Sequence, residues 1–506
     1  MIARSGPSRP LKERLAEAWA LWSILAAQAT LTLPWMWRTS AYTDEALYLN
    51  AAHQGHAYLL AEAPTFPGLP VIWPPLAGAF DAVGGLMAAR ALSLLFMLGA
   101  TALIYHMGDR MFGQMSGVLA ALLFAVCGII VHLGAAATFD PMALFLLVLA
   151  LHAAVRMRDG GTGWLLLCPL AMAAANATKY ATTAWDPLIL GTIVLYGWSK
   201  GRMQSICLAV SVAITTAAID VTVLILGGPG VATGVVDSIV YRSPQAGVPS
   251  SAVSVLEHAL LMTGLIVLIA LAGIWVSLVK RMPATATMFL ILLVLGAVLV
   301  PLDQARLHQI TSLDENMGFG LPFAALAAGY ALGAWRQWLG RQRHWGKIVA
   351  TVAAVTTVIT MLLVGRVERV QFRGPGTVVA SSVWPLVASH YIKKSLILDN
   401  GSATTAEYYT RIPPEDWRTF FGTPSDITRQ MVKQKCFSVV MLDAARAPSY
   451  ARLLHALQHA DYERLKTTPE VSKRIWIWSL PLPQFKLSAN SKPVGGNPQQ
   501  PQVPCA

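Results

Sequence analysis

The sequence is poor in charge, since only 13% of its 506 residues are Asp, Glu, Lys or Arg, against roughly 25% in soluble domains. It lacks the glycine-rich loop that cradles nucleotide phosphates, and its five cysteines form no CxxC pair of the kind that binds zinc. No internal repeat is visible. These absences exclude an ordinary soluble protein and give no support to chemistry on ATP or nucleotide sugars.

Apolar residues dominate instead, at 55% of the chain. Apolar stretches recur that approach the ~20 residues needed to cross a bilayer, and we predict about eleven spans. Their approximate limits are 16–37, 86–107, 115–133, 139–156, 164–179, 181–198, 204–226, 258–279, 284–302, 317–335 and 347–365. The predicted class is a mainly α, polytopic helical membrane protein.

The basic residues of the loops indicate an orientation. If the N-terminus lies inside, the inside segments carry most of them, in agreement with the positive-inside rule. Inside lie Arg4, Arg9, Lys12, Arg14, Arg110, Arg156, Arg158, Lys200, Arg202, Lys280, Arg281, Arg336, Arg341, Arg343 and Lys347. The short outside loops carry only Arg38, Lys179, Arg242 and Arg306. We attribute the net charge of +12 to topology and to the lipid bilayer, and predict no nucleic-acid partner.

The composition becomes that of a soluble protein after about residue 366. Strands are predicted at 395–400, 437–443 and 474–480, and helices at 424–434, with Ser425 or Thr423 as its cap, and at 448–459. Their alternation predicts a small α/β domain outside the membrane. The predicted domains are a membrane domain at 1–365 with outer loop helices at 39–85, the α/β domain at 366–480, and a disordered tail at 481–506.

Asp44 and Glu45 are adjacent carboxylates a few residues beyond the first predicted span. A carboxylate at the edge of the bilayer stays ionised in a lowered dielectric, so it can take a proton from an acceptor hydroxyl as a general base. The alternative is a helix cap, because acidic residues in a first turn suit the helix dipole.

Other ionisable residues fall on the same outer side. Arg90 opens the second predicted span, Asp140 opens the fourth, Lys179 ends the fifth, and Arg306 and His308 precede the tenth. Ionisable groups at membrane depth indicate function by default. Two structural alternatives stay open: Arg90 and Asp140 form an ion pair, or Lys179 extends to lipid headgroups.

A divalent metal site is a weaker hypothesis. His53, His56 and Glu62 lie close together in the first outer loop, but three such residues in a loop are a poor metal signature. No other cofactor is predicted.

The order and spacing of several motifs resemble the GT-C superfamily of membrane glycosyltransferases. The motifs are Asp44-Glu45-Ala46-Leu47-Tyr48, Pro74-Pro75-Leu76, Ala89-Arg90-Ala91-Leu92, Gly108-Asp109-Arg110-Met111-Phe112-Gly113, Thr138-Phe139-Asp140-Pro141, Ala177-Thr178-Lys179 and Gly320-Leu321-Pro322. Within the superfamily, the chain is similar to transferases that use polyprenyl-phosphate sugars, including the lipid A aminoarabinose transferase and the protein O-mannosyltransferases.

The resemblance implies a catalytic aspartate at Asp44, assisted by Glu45, and a supporting one at Asp140. It also implies a multi-pass protein of the bacterial inner membrane that moves a sugar from a polyprenyl-phosphate donor to a hydroxyl of a glycolipid, glycan or protein, with inversion. Related transferases often carry a lysine where this chain has Trp73, so the donor phosphate needs other cations. The substrate-binding positions expected on this face are Tyr48, Trp73, Arg90, Lys179, Arg242, Arg306 and His308.

Two alternatives to this function remain at the level of sequence. One is a flippase or transporter of lipid-linked glycans, although transporters often show repeats and helices broken at the midplane. The other is a ligase or polymerase that uses a lipid diphosphate.

The charge asymmetry makes a prediction about topology. Reporter fusions after Gly113 and Gly201 should read cytoplasmic, and fusions after Gly374 should read outside, because loops rich in Lys and Arg stay inside. Paired alkaline phosphatase and green fluorescent protein fusions measure this. A cytoplasmic signal from the Gly374 fusion would place the proposed chemistry on the wrong face.

Overall fold

The structure is a computed structural model, and its chain forms two compact units. The structure describes residues 11–55, 59–60, 63–64, 66–239, 250–310, 312–342, 352, 355–365, 377–392, 395–399, 403–413, 416–419, 425–444, 449–472 and 475–481. Unit 1 comprises Met1–Trp37 and Ala51–Phe372, and unit 2 comprises Arg38–Asn50 and Arg373–Ala506. The segment that carries Asp44 and Glu45 therefore groups with the C-terminal region.

Long apolar helices make up unit 1. In chain order, the helices that precede the C-terminal region are α1 (Leu11–Arg38), α2 (Thr43–Gln54), α3 (Trp73–Phe112), α4 (Gln114–Val126), α5 (Gly128–Ala135), α6 (Asp140–Met157), α7 (Thr162–Thr178), α8 (Asp186–Gly197), α9 (Arg202–Ile239), α10 (Ala252–Val279), α11 (Ala284–Arg306), α12 (Leu313–Met317), α13 (Leu321–Gln342) and α14 (Val355–Gly365). Short 3-10 turns at Tyr180–Trp185 and Gly318–Gly320 join α7 to α8 and α12 to α13.

Six of the described helical segments are long and apolar enough to cross a membrane. A seventh span results if α4 and α5, which are bent by 62° where they meet, cross together. The predicted apolar stretches all overlap the helices above, part of 347–365 lying outside the described residues, but only six or seven described segments qualify as spans, against the predicted eleven. The predicted mainly α membrane fold is confirmed.

Two glycines divide α3. Gly84 and Gly85 have non-helical backbone angles, and Gly85 adopts a φ of +66°, which favours glycine. The preceding part begins at Trp73 and carries prolines at its first positions, where a missing N–H costs no hydrogen bond. The break lies where the second span was predicted to begin, so α3 consists of an outer-loop helix followed by a span.

Small residues let the spans approach closely, as is common in membrane proteins. A Cβ at Gly108 on α3 would lie 2.7 Å from the Cα of Gly117 on α4, which is closer than side chains pack. The backbones of α3 and α4 are therefore in direct contact at this point.

The C-terminal part of unit 2 is built on a five-stranded sheet. Its strands are β1 (Leu396–Asp399), β2 (Trp417–Thr419), β3 (Phe437–Asp443), β4 (Glu463–Arg464) and β5 (Ile475–Ser479), in the order β2-β1-β3-β5-β4. The pairs β1–β2 and β1–β3 are parallel, whereas β5 is antiparallel to both β3 and β4. The helices of this part are α15 (Thr377–His390), α16 (Ala403–Thr410), α17 (Asp426–Lys433), α18 (Ala451–His459) and α19 (Pro469–Ser472).

Helices cover both faces of this sheet. Leu398 and Val440 pack toward α17 and α18, together with Trp476 and Trp478 on the same face of the sheet. The alternate residues, such as Val439, pack toward α15 and α16. This is the three-layer arrangement expected when strands alternate with helices.

The predicted elements of this region are confirmed to within a few residues. At the start of α17, Ser425 Oγ accepts a hydrogen bond from the Thr428 N–H, so Ser425 is the cap.

Candidate active site

A buried ion pair joins the start of α6 to the end of α7. Lys179 Nζ lies 2.5 Å from Asp140 Oδ1, and both side chains are almost fully buried. Asp140 opens α6 with a proline after it, and Lys179 follows the last residue of α7 in an extended conformation. We call the end of unit 1 where these residues meet the Lys179 end.

The surroundings of this pair settle two open alternatives. The Lys179 ammonium lies 4.9 Å from the ring centre of Phe319 and 5.4 Å from that of Phe139, in cation–π range. Lys179 is thus held inside the protein and does not extend to headgroups. Asp140 pairs with Lys179 and not with Arg90, whose guanidinium donates to the Met36 carbonyl.

Backbone contacts fix the turn that carries Lys179. The Leu69 N–H donates to the Ala177 carbonyl at 2.7 Å, and the Tyr180 N–H donates to the Pro67 carbonyl at 3.0 Å. Gly68 between them comes so close that a Cβ would lie 2.0 Å from the Thr178 oxygen. The first outer loop is therefore clamped to the Lys179 turn, and only glycine fits at position 68.

Trp73 contacts the segment that leads to Asp140, the acidic partner of the ion pair. Its ring is buried, and its Nε1 donates to the Ala137 carbonyl at 3.3 Å, three residues before Asp140. In place of the lysine of related transferases, this chain has an indole that braces the segment leading to Asp140.

A polar network lies behind the Lys179 turn. Thr182 Oγ1 is 2.9 Å from the Lys179 carbonyl and 2.8 Å from Asn176 Oδ1. Asn176 Nδ2 in turn donates to Asp186 at 2.9 Å and to Asp220 at 3.1 Å. Asp220 thus belongs to the support of the Lys179 turn.

A cavity of about 550 Å³ opens beside Lys179. Its polar lining includes Lys179, Thr182, Asp303, Arg306 and Asn316. Its apolar lining includes Trp185, Ile239, Leu299, Val300, Leu302, Leu307 and Phe319. The cavity thus combines two cations with an apolar lining, which suits a ligand that has a charged head and an apolar tail.

Arg306 is the second cation of the cavity and differs from Lys179 in exposure. Its side chain is 69% exposed, and its Nη2 and Nε donate to Asp303 Oδ1 at 2.8 and 3.2 Å. His308 is exposed, and its Nδ1 is 3.2 Å from the Ser250 carbonyl. Arg242 lies outside the described residues.

Sequence reasoning missed Asp314. This half-buried residue of α12 interacts electrostatically with His132 and Asp140, so it adds a second acid to the Lys179 end. Asp314-Glu315 opens a span just as Asp44-Glu45 follows one, and that shared pattern could have revealed it.

Unit 2 contains the predicted catalytic pair. Glu45 is fully buried, and its Oε2 accepts the N–H of Tyr42, the residue before α2, at 2.7 Å. This is the reciprocal half of a capping box, so Glu45 caps the helix. Asp44 lies in the same turn and is half-buried. The cap hypothesis therefore fits Glu45, and the general-base hypothesis is left to Asp44.

The start of α2 is hydrogen-bonded to α16 of the α/β part. The Ala41 N–H donates to the Tyr409 hydroxyl at 2.8 Å, and Asn50 Nδ2 is 3.5 Å from Glu407 Oε2. Tyr48 on this stretch is buried. Burial raises the pKa of Glu407 to about 7, and the nearby charge of Asp399 acts in the same direction.

The metal hypothesis gains no support from the described residues. His53 Nε2 lies 2.7 Å from Asp81 Oδ2, while His56 and Glu62 lie outside the described residues. In the part of the chain that the structure describes, no three His, Cys, Asp or Glu side chains form a group that could hold a metal ion.

Comparison with known protein families and solved structures shows which proteins this chain is similar to. Residues 80–225 match the profile of a family described as dolichyl-phosphate-mannose-protein mannosyltransferase, and this stretch includes Arg90, Asp140 and Lys179. A search of curated proteins finds no match.

Solved structures show the same fold. ArnT from Cupriavidus metallidurans bound to undecaprenyl phosphate superposes with a TM-score of 0.61 at 13% identity, over 92% of this chain and 98% of that one. The Archaeoglobus fulgidus oligosaccharyltransferase AglB, in complex with an inhibitory peptide and a dolichol-phosphate, gives 0.58 at 10% identity, over 94% and 76%. The arabinofuranosyltransferase AftD from Mycobacteria gives 0.50 at 15%, over 92% and 40%. The predicted resemblance to the GT-C glycosyltransferases is confirmed in fold.

The shifted pKa of Glu407 predicts a pH dependence of unit 2. Because the folded-state pKa lies above its ordinary value of 4.5, the folded state binds this proton more tightly, and stability should fall as pH rises from about 4.5 to about 7. Glu407→Gln should remove that dependence. Hydrogen exchange of β1 and α16 amides in the full-length protein, at about pH 5 and about pH 8 and corrected for intrinsic rates, measures it.

Glu463→Gln is the matched control, since Glu463 is an exposed acid of the same sheet. An equal loss of protection in wild type and Glu407→Gln would show that another group titrates.

Proposed function

We propose that the protein is a membrane glycosyltransferase that moves a sugar from a polyprenyl-phosphate donor to a hydroxyl acceptor on the outer face, with inversion. The observation that carries the proposal is the cavity at the Lys179 end, which joins two cations to an apolar wall. Its support is a fold shared with ArnT bound to undecaprenyl phosphate and with AglB in complex with a dolichol-phosphate.

The donor phosphate meets Arg306 first. Lys179 already shares its charge with Asp140 in a buried pair, and separating buried partners is costly. Arg306 pairs with Asp303 at the surface, where an ion pair is worth only about 0–1 kcal/mol. A phosphate can therefore displace Asp303 and receive two parallel hydrogen bonds from the guanidinium.

The polyprenyl tail needs an apolar path into the membrane. Leu299, Val300 and Leu302 line the cavity along α11. Lipid-facing residues of α9, such as Ile225 and Leu226, are largely exposed. A lipid tail along these surfaces replaces contacts with bilayer lipids, so donor entry from the side costs little.

Asp44 removes the proton from the acceptor hydroxyl. The acceptor oxygen forms a bond to the anomeric carbon, while the bond between that carbon and the phosphate oxygen breaks. The products are the glycosylated acceptor and polyprenyl phosphate, and Asp44 holds the proton until solvent removes it. A single displacement inverts the anomeric centre. Negative charge grows on the leaving phosphate, where Arg306 and Lys179 stabilise it.

The acceptor is a glycolipid, a glycan or a protein at the outer face of a bacterial inner membrane. Mass spectrometry of envelope glycans and lipids from a deletion strain would identify the missing sugar and its acceptor. An unchanged envelope that accumulates no donor lipid would argue against the transferase.

Asp44→Asn should lower the transfer rate by roughly 10²–10⁴-fold, because the amide keeps the shape of the carboxylate but cannot take the proton. Glu45→Gln should retain most activity, because its amide oxygen can still accept the Tyr42 N–H. Complementation of the deletion strain, read out by the same mass spectrometry, measures both variants.

The two variants control each other, since they remove adjacent carboxylates from one helical turn. Normal transfer by Asp44→Asn at wild-type protein level would refute the assignment. Loss of transfer in Glu45→Gln with normal melting would exchange the two roles.

Arg306→Gln should weaken the binding of undecaprenyl phosphate about tenfold, in line with the loss of a hydrogen bond to a charged group. Melting should hardly change, because the Arg306–Asp303 pair is exposed. Asp303→Asn should preserve or strengthen binding, since it removes the competing carboxylate. Titration of the lipid into nanodiscs that hold the full-length protein measures both.

Lys179→Met alone should lower the melting temperature, because it leaves Asp140 charged and buried. The double change Lys179→Met with Asp140→Leu should restore melting, and its lipid affinity then reports on Lys179 alone. Unchanged affinity in Arg306→Gln together with a loss in the double variant would move the phosphate to Lys179.

A further inference from the structure

Three arginines converge at the opposite end of the unit 1 helices. Arg110 lies in the last turn of α3, Arg156 in the last turn of α6, and Arg158 follows α6 directly. Arg110 and Arg156 both form ion pairs with Asp159, the residue that directly follows Arg158, so the three arginines meet around one carboxylate. We call these residues the arginine cluster.

The cluster has fewer carboxylates than guanidinium groups. Asp159 forms an ion pair with Arg110, while its other oxygen lies 3.6 Å from Arg156 Nε, too far for a hydrogen bond. Asp109 also attracts Arg110. Arg158 packs over the Tyr196 ring, 4.9 Å from its centre. Three guanidiniums thus face two acids, and the cluster keeps a net positive charge.

Donor groups in the cluster are left without acceptors. The Nε atoms of Arg110, Arg156 and Arg158 are buried and form no hydrogen bond within the described residues. Buried donors nearly always have a partner. Two of the side chains are nevertheless 27% and 36% exposed as a whole, which leaves the cluster open to a ligand.

A helix N-terminus adds to this positive charge. Residue Gly161 precedes α7 with a φ of +115° and provides no side-chain cap for it. The 17-residue α7 therefore directs free N–H groups and the positive end of its dipole to the same place. Trp164 of its first turn lies 5.1 Å below the Arg156 guanidinium.

Exposed apolar residues follow on the outward side of the same helix, roughly 200° around it from Trp164. Leu166 and Leu170 of α7 are 63% and 55% exposed on a membrane helix. Trp164, which is partly exposed, has the amphipathic kind of ring that gathers at the membrane interface, whereas Tyr196 is buried. A ligand here meets cations at its head and apolar side chains below it, which is the environment of a phospholipid.

We propose that the arginine cluster binds the phosphate of an anionic phospholipid from the leaflet at this end of the protein. The guanidinium N–H groups and the start of α7 hold the phosphate, and the acyl chains lie along Leu166 and Leu170. Basic pockets between helices at a membrane face are suited to such headgroups. This site lies at the end of unit 1 opposite the proposed donor cavity and does not depend on the proposed transfer.

Native mass spectrometry of the full-length protein, titrated with phosphatidylglycerol or phosphatidylcholine, tests the proposal. Wild type should bind phosphatidylglycerol preferentially, and the double variant Arg156→Gln with Arg158→Gln should bind it about tenfold more weakly, as expected when charge-assisted hydrogen bonds are lost. Arg202→Gln is the matched control, because Arg202 packs over Trp198 at the same end of the helices but is exposed. It should bind like wild type.

Arg158→Gln alone guards against misfolding of the double variant, because it keeps Arg156, with its ion pair to Asp159 and its contact with Trp164. The single variant should lose part of the affinity, and Arg158→Lys should recover some of it. Equal phosphatidylglycerol binding in wild type and the cluster variants would overturn the proposal. If inorganic phosphate protected the protein from thermal unfolding as strongly as phosphatidylglycerol does, the ligand would be a soluble anion. That result would also overturn the proposal.

Discussion

The buried pair of Lys179 and Asp140 is the constraint on which the Lys179 end depends. Two charges taken out of water cost several kcal/mol each unless their geometry is close and other groups help. Here the ammonium and the carboxylate are 2.5 Å apart, and two aromatic rings face the ammonium. The clamp at Gly68 and the indole of Trp73 hold the two segments in register. These contacts fix the position of Lys179 and so help to shape the cavity beside it.

The sequence predicted the helices well but could not predict which charges pair. The length of an apolar segment is enough to locate a span, because the thickness of the bilayer sets a minimum length for each segment separately. Partner choice depends on how the spans pack. The sequence suggested only Arg90 as a partner for Asp140, whereas in the structure Lys179 pairs with Asp140 and the Arg90 guanidinium donates to the Met36 carbonyl. Likewise, the sequence could not show that the Trp73 indole donates to the Ala137 carbonyl and so braces the segment before Asp140.

Three of the five C-terminal strands and two of the helices were predicted, because clear turn signals separate them, whereas the short strands β2 and β4 and the helices α15, α16 and α19 were not. The grouping of the Asp44 segment with this region was not predictable, since the hydrogen bond from Asn50 to Glu407 joins residues 357 positions apart. The capping role of Glu45 was half visible, because an acid at the third helical position is a known cap. Only the structure shows that Glu45 is the residue that accepts the capping hydrogen bond, while Asp44 lies half-buried in the same turn.

The two ends of unit 1 treat charge in different ways. At the Lys179 end, each cation of the cavity already has its own carboxylate, so a weak anion gains little and a phosphate must compete for Arg306. Such competition favours a ligand that brings further binding energy, as a long lipid tail does. The arginine cluster holds surplus positive charge and buried donors without partners, so it attracts an anion without exchange. The two proposed ligands therefore differ in how they bind: the donor phosphate exchanges with Asp303, and the phospholipid binds without such an exchange.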